Sequence, residues 1–165
     1  MRLLILGGLL AILALGGGIL YLSKDTITLR VINRDRHKII LSRDFEPGQT
    51  FCFMYIHSVQ KTPVFEIYTV DAKGRVMLLE TRVKSAGYGL PAPRPGDDYR
   101  IKDGYLEVRQ MNRLVDKLLI RVNFVRLMEL RVGPQALDLR KYGQGGDLIE
   151  VSAKRTNKLY ALMGM

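Results

Sequence analysis

Residues 51–70, FCFMYIHSVQKTPVFEIYTV, contain two strand-like segments separated by a short polar break. The segments at residues 51–58 and 64–70 are rich in aromatic and β-branched side chains, which favour the pleated, half-buried surface of a sheet. Pro63 favours an extended conformation at Thr62, so residues 60–63 are predicted to form the loop of a β-hairpin. This stretch therefore indicates an antiparallel, β-rich fold.

The position of the loop gives an expected register for the hairpin. The cross-strand pairs that follow are Val59–Val64, His57–Glu66 and Tyr55–Tyr68. Directly opposed side chains lie about 5 Å apart at Cβ, so we expect His57 and Glu66 to share a charge-assisted hydrogen bond. The opposite face carries the residues predicted to face the core, which are Met54, Ile56 and Ile67.

Further strand-like segments lie on both sides of this hairpin. They are residues 26–32, 37–41, 75–83, 118–125, 128–132 and 148–151. Asp103-Gly104, between YRIK and YLEV, is typical of a type I′ turn. Only residues 111–119 have apolar spacing that suits a helix. Short strands with frequent turns predict an all-β fold, either an antiparallel β-sandwich or a partly open barrel.

Residues 3–22, LLILGGLLAILALGGGILYL, carry no charge. As a helix they would be about 30 Å long, enough to cross a bilayer. We therefore expect an N-terminal transmembrane helix, with a membrane anchor or signal segment at residues 1–24 and a β-rich domain at residues 25–165. The small-x-small triplet Ala14-Leu15-Gly16 would permit cleavage as a signal peptide, but the apolar run that continues to Leu22 favours a retained anchor.

The chain is basic, with 26 Lys and Arg against 16 Asp and Glu and a net charge of +10. The basic residues are scattered singly rather than clustered, so nucleic-acid binding is not supported. Attraction to anionic lipid headgroups explains the charge of an anchored domain more simply. One cysteine, Cys52, excludes an intrachain disulfide, and with two histidines it is too few for a closed zinc site. No metal or other cofactor is expected.

The polar residues of the hairpin do not predict an enzyme. Adjacent strand residues point to opposite faces, so His57 and Ser58 do not form a nucleophile–base pair. His57 with Glu66 lacks an evident nucleophile, and Cys52 alternates onto the other face. A structural cluster that pins the hairpin is the favoured interpretation. The alternative is a ligand-binding or enzymatic domain that uses His57, Lys61 and Glu66.

HSVQKTPVFEIY at residues 57–68 and TRVKSAGYGLP at residues 81–91 together form a motif pattern. The pattern consists of His-Ser-Val, a polar or acidic residue, Lys-Thr-Pro, then Glu and an aromatic residue, and later Gly-x-Gly with a proline. This pattern resembles the signature of the domain of unknown function family 1850. Gln60 stands where an acid is common in that pattern. The motif residues singled out by the resemblance are His57, Ser58, Lys61, Thr62, Pro63, Glu66, Tyr68, Gly87 and Gly89.

The resemblance implies a biological context for the chain. Members of the family are short exported or membrane-anchored proteins, often encoded beside or fused to tripartite ATP-independent periplasmic (TRAP) transporters of the TAXI type. It therefore implies a non-enzymatic accessory protein anchored in the inner membrane, with TRAP transporter subunits as partners. The positive-inside rule alone would keep the domain in the cytoplasm, but Lys24 and Asp25 cancel close to the membrane. The expected periplasmic or extracellular orientation rests on the resemblance.

Because residues 3–22 are long enough to span a bilayer, the full-length protein is expected to stay with membranes after carbonate washing, with residues 25–165 outside the cytoplasm. Immunoblotting of the washed pellet measures the first expectation, and protease accessibility in spheroplasts measures the second. A mature N terminus near Gly17 would contradict the anchor. Protection of the domain in intact spheroplasts would contradict the orientation.

Overall fold

A computed structural model describes residues 25–84 and 93–157 of the chain. These residues form eleven β-strands and one short 3-10 helix at Leu139–Tyr142. The strands are β1 (Asp25–Asn33), β2 (Lys38–Asp44), β3 (Thr50–Ile56), β4 (Pro63–Val70), β5 (Val76–Val83), β6 (Asp98–Lys102), β7 (Tyr105–Arg109), β8 (Arg113–Arg121), β9 (Met128–Val132), β10 (Gln135–Asp138) and β11 (Leu148–Asn157).

All pairs of neighbouring strands are antiparallel and belong to one sheet. The order along the sheet is β10-β9-β3-β4-β5-β8-β11-β1-β2, and the β6–β7 hairpin attaches to β5 through β7. The sheet curls into a half-barrel. The predicted all-β, antiparallel class is therefore confirmed, and the continuous curled sheet is closest to the partly open barrel.

The hydrophobic core fills the inside of the curl. It includes Leu29 of β1, Phe51 of β3, Leu130 of β9 and Val151 of β11, so strands far apart in the sheet order share one core. The inward side chains recur at every second residue, because successive strand residues point to opposite faces. Each fully buried side chain of this size contributes about 1.5–3 kcal/mol to folding.

Local turn chemistry is where the sequence and the structure agree most closely. Asp103 and Gly104 have φ of 51° and 75°, and they connect β6 to β7 as the predicted type I′ turn requires. The helix predicted for residues 111–119 is wrong, because this segment is strand β8. Pairing with β5 and β11 satisfies its backbone, and Asn112 and Asp116 have φ of 43° and 64°, which no α-helix accommodates.

Within residues 25–84 and 93–157, no helix is long and apolar enough to cross a membrane. The predicted transmembrane helix at residues 3–22 lies outside the described residues. The proposed boundary between an anchor at residues 1–24 and a domain at residues 25–165 stays a prediction.

The motif residues and Asp25 lie near opposite ends of β4. The turn after β4, residues 71–75, lies beside Asp25, because Arg155 pairs with Asp25 at 2.8 Å and donates to the Ala72 carbonyl at 3.2 Å. Residues 57–62 lie at the other end of β4. Eight strand residues span about 26 Å, so the motif residues lie far from Asp25.

Gly74→Ala is expected to destabilise the domain more than Gly104→Ala. Both glycines have positive φ, 78° and 75°, so alanine costs about 1–2 kcal/mol of backbone strain at either position. A Cβ at Gly74 would also lie 2.8 Å from the backbone nitrogen of Arg155, whereas one at Gly104 would have no atom within 4 Å. Denaturant unfolding followed by circular dichroism measures both losses. Equal losses would contradict close packing of the β4–β5 turn on β11.

Candidate functional site

Residues 57–62, called the motif loop below, form a closed connection between β3 and β4. The backbone nitrogen of His57 donates to the Thr62 carbonyl at 2.9 Å, and that of Lys61 donates to the His57 carbonyl at 3.1 Å. Lys61 has φ of 58°, a left-handed conformation that turns the chain back. Pro63 then begins β4 with the restricted φ of proline. The connection is six residues long, not the four residues predicted at 60–63.

The His57 side chain holds the motif loop from the inside. It is 8% exposed, and its Nδ1 accepts hydrogen bonds from the backbone nitrogens of Val59 at 3.3 Å and Gln60 at 3.2 Å. A histidine nitrogen that accepts carries no proton, so these bonds require the neutral tautomer protonated on Nε2. His57 Nδ1 is therefore the hydrogen-bond acceptor for two backbone N–H groups that lie outside the strands.

The tip of the motif loop is exposed. Lys61 Nζ donates to the Ser58 carbonyl at 2.7 Å, which closes the loop a second time on its outer side. Ser58 and Lys61 are exposed, and Val59 is 67% exposed. An apolar side chain and a lysine therefore project from a loop whose backbone is held by internal hydrogen bonds.

The predicted register of the hairpin is wrong. The observed pairs are Tyr55–Val64, Phe53–Glu66 and Phe51–Tyr68, and β3 ends at Ile56, before His57. The loop is centred two residues earlier in the chain than predicted, which moves the partner of every β3 residue by four positions. His57 and Glu66 are therefore not cross-strand partners, and the expected pairs Val59–Val64 and Tyr55–Tyr68 do not form either.

The prediction of which face of the hairpin points into the core is also wrong. An even shift in register keeps each side chain on its face, so Tyr55, Glu66 and Tyr68 do share one face. That face, however, points into the half-barrel, and Tyr68 stacks on Phe51 there with ring centroids 5.2 Å apart. The residues expected to face the core are half-buried on the other face, and they are Met54, Ile56 and Ile67.

Glu66 lies between two tyrosines on the inner face. Tyr68 Oη donates to Oε2 at 2.6 Å, and Tyr55 Oη donates to Oε1 at 3.3 Å. Burial raises the pKa of the Glu66 carboxyl, although the two hydroxyl hydrogen bonds act in the opposite direction. Burial and the adjacent carboxyl raise the pKa of both tyrosines, so their hydroxyls stay protonated donors. Both carboxyl oxygens are thus engaged within the wall of the core.

A second loop lies against the motif loop. Residues 122–127, called the Phe124 loop below, connect β8 to β9, and the Ile56 backbone nitrogen donates to the Leu127 carbonyl at 3.3 Å. Phe124 and Val125 are 49% and 87% exposed. The strand predicted at residues 118–125 is wrong beyond Arg121, because β8 ends there and this loop follows. Asn123, whose Oδ1 accepts from the Val125 backbone nitrogen at 2.9 Å, is the turn-forming residue that marks it.

A pocket of about 300 Å³ separates the two loops. Its polar lining comes from Tyr55, His57, Ser58, Arg121, Asn123 and Arg126. Lys61 and Glu66 are not among the lining residues, so the three residues of the predicted alternative site, His57, Lys61 and Glu66, do not share this pocket.

The structure divides the predicted site residues into three groups. His57, Ser58, Lys61 and Thr62 build the motif loop, Pro63 begins β4, and Glu66 and Tyr68 lie on its inner face. Gly87 and Gly89 lie outside the described residues. No group of three His, Cys, Asp or Glu side chains in the described part of the chain is arranged to hold a metal ion.

A family model described as a domain of unknown function (DUF1850) matches residues 51–139, more than half of the chain. The chain belongs to the DUF1850 family. The matched DUF1850 region runs from β3 to the start of the 3-10 helix, so it includes the motif loop, the Phe124 loop and Glu66. Searches of curated proteins and of solved structures found no match.

The buried carboxyl predicts a specific dependence of stability on pH. The folded-state pKa of Glu66 lies above its ordinary value of 4.5, so the folded protein binds more protons than the unfolded chain between these two values. The stabilisation is full below about pH 4.5 and is lost as pH rises through the folded pKa. We expect the stability of the wild type relative to Glu66→Gln to fall across that window and then to level off.

Denaturant unfolding of both proteins at a series of pH values measures this difference. Glu46→Gln, at an exposed glutamate after β2, controls for the loss of one negative charge. A difference between wild type and Glu66→Gln that stays constant from about pH 4 to about pH 9 would contradict the burial of this carboxyl.

Proposed function

We propose that this DUF1850 protein is a non-enzymatic accessory protein of a TRAP solute transporter of the TAXI type. In this proposal residues 3–22 anchor it in the inner membrane, and the half-barrel faces the periplasmic or extracellular side. Family membership supports the proposal, and the uncharged length of residues 3–22 supports the anchor. The observation that carries it is the construction of the motif loop, which uses its polar groups to fix a backbone shape.

The same construction argues for binding rather than catalysis. Nδ1 of His57 is occupied by two backbone amides, so it is not available as a general base. Glu66 is engaged by two tyrosine hydroxyls. Burial raises the pKa of the Cys52 thiol, which disfavours the nucleophilic thiolate. His57 Nδ1 and Glu66 are therefore engaged in hydrogen bonds, and the Cys52 thiol is held in its less reactive form.

The exposed tips of the two loops suit a contact with another protein. Val59, Phe124 and Val125 are exposed apolar residues beside the basic Lys61 and Arg126, and exposed apolar groups with a polar rim are typical of interaction sites. A loop that is already held loses little conformational entropy on docking. The length of β4, about 26 Å, separates this end from the turn beside Asp25, the residue that follows the proposed anchor, which favours a protein partner over the lipid surface.

A second candidate function is the binding of a small ligand. The observation that favours it is the pocket between the two loops, which takes His57 and Ser58 from the family motif.

Lys61→Glu tests the accessory role. The change removes the exposed hydrogen bond from Lys61 Nζ to the Ser58 carbonyl but leaves the backbone hydrogen bonds of the loop, so we expect a loss of stability of about 1 kcal/mol. Co-purification with transporter subunits from detergent-solubilised native membranes is expected to fall at least tenfold, and solute uptake with it. Lys73→Glu makes the same charge change in the exposed β4–β5 turn and is expected to retain both activities.

Circular dichroism of both variants separates a folding defect from a lost contact. If association and uptake both survive in Lys61→Glu, the motif loop is only a turn, and the proposed contact at this end of the domain is wrong.

A further inference from the structure

The pocket between the motif loop and the Phe124 loop has a positively charged lining. Two of its lining residues are arginines, and none is an Asp or Glu. Ser58 and Asn123 add neutral polar groups, and the Oδ1 of Asn123 is already used as an acceptor within the Phe124 loop. Asn123 also has an NH₂ group, which donates. The lining therefore presents mainly hydrogen-bond donors and positive charge.

The two arginines of the pocket have no acidic partner among the described residues, a feature that they share with the half-buried Arg30 and Arg43. Arg121 donates to the Gly146 carbonyl at 3.1 Å, and neither Arg121 nor Arg126 forms an ion pair with an acid in residues 25–84 or 93–157. By contrast, the half-buried guanidinium groups that pair with a carboxylate include Arg113 with Asp97 and Arg140 with Asp138.

Arg126 is the more informative of the two pocket arginines, because it is half-buried. Partial removal of a guanidinium from water is unfavourable unless an anion or several acceptors replace the water. A planar guanidinium matches a carboxylate through two parallel hydrogen bonds, which makes arginine the side chain best suited to this group. Arg126 is thus a half-buried guanidinium in the wall of a pocket, with no carboxylate paired to it among the described residues.

We propose that this pocket is an anion site that binds a carboxylate group. Arg126 and Arg121 supply the charged donors, and Ser58 and Asn123 supply neutral ones. The volume of about 300 Å³ fits a small organic acid or one acidic side chain. The apolar atoms of Met128 and Tyr55 in the same wall suit the carbon skeleton of such a group better than a phosphate.

The carboxylate has two possible sources, a free organic acid and an acidic side chain of a protein partner. The inference does not depend on the accessory role, because a soluble acid tests the pocket without any partner. If the partner supplies the group, the inference adds the chemistry of the contact to the proposed function.

The direct test is a titration of the full-length protein in detergent micelles with succinate at constant ionic strength, followed by the side-chain Nε–Hε signals of arginine in nuclear magnetic resonance spectra. We expect saturable shifts of Arg121 and Arg126 with succinate and none with the neutral analogue succinamide. Arg126→Gln is expected to weaken binding at least tenfold, the factor that follows from loss of one charge-assisted hydrogen bond. Arg126→Lys keeps the charge without the planar fork and is expected to weaken it less.

The matched control is Lys73→Gln, which removes one positive charge at the other end of β4 and is expected to leave succinate binding unchanged. The proposal is overturned if no saturable shift occurs, if Arg126→Gln binds succinate as well as the wild type, or if inorganic phosphate binds more tightly than succinate. Both Arg126 variants are checked by circular dichroism, and Arg126→Lys keeps the test decisive if Arg126→Gln does not fold.

Co-purification with transporter subunits then assigns the source of the carboxylate. Loss of association in Arg126→Gln together with succinate binding in the wild type supports an acidic side chain of the partner. Succinate binding with unchanged association supports a free organic acid. Failure of Lys61→Glu to affect association would count against the accessory role alone, because the succinate titration is independent of it.

Discussion

The site depends on two hydrogen bonds that one imidazole nitrogen accepts from backbone N–H groups. By binding the amides of Val59 and Gln60, His57 Nδ1 fixes a six-residue connection between β3 and β4. The position of that connection in the sequence sets the register of the hairpin, and the register places Glu66 opposite Phe53. The same connection leaves a cleft beside the Phe124 loop rather than a tight turn.

The inner and outer ends of this hairpin are stabilised by different physics. Inside the half-barrel, aromatic stacking and tyrosine hydroxyls compensate a carboxyl that is expensive to bury. At the loop end, backbone hydrogen bonds maintain the conformation of the motif loop, and the side chains at its tip are exposed. The hairpin thus combines a hydrogen-bonded wall of the core with an exposed tip whose backbone is held by internal hydrogen bonds.

Local patterns in the sequence predicted most of the strands and the Asp103-Gly104 turn, because alternation and turn propensity are properties of neighbouring residues. The register of β3 and β4 was not predictable in the same way. It depends on a histidine side chain that binds amides within its own loop, and the sequence offers a shorter loop that is equally plausible. The helical spacing of residues 111–119 was overridden by pairing on both edges of β8. The missing acidic partner of Arg126 is a property of three-dimensional packing, which spacing along the chain does not encode.

The residues that the family model matches do not include every strand of the sheet. Residues 51–139 leave out β1 and β11, yet β11 pairs with β8 inside the match and β1 pairs with β11. A fragment cut at the limits of the match would lose Leu29 and Val151 from the core and turn β8 into an exposed edge strand. Sequence similarity thus outlines the part that carries the two loops, while the hydrophobic core also depends on β1 and β11 outside it.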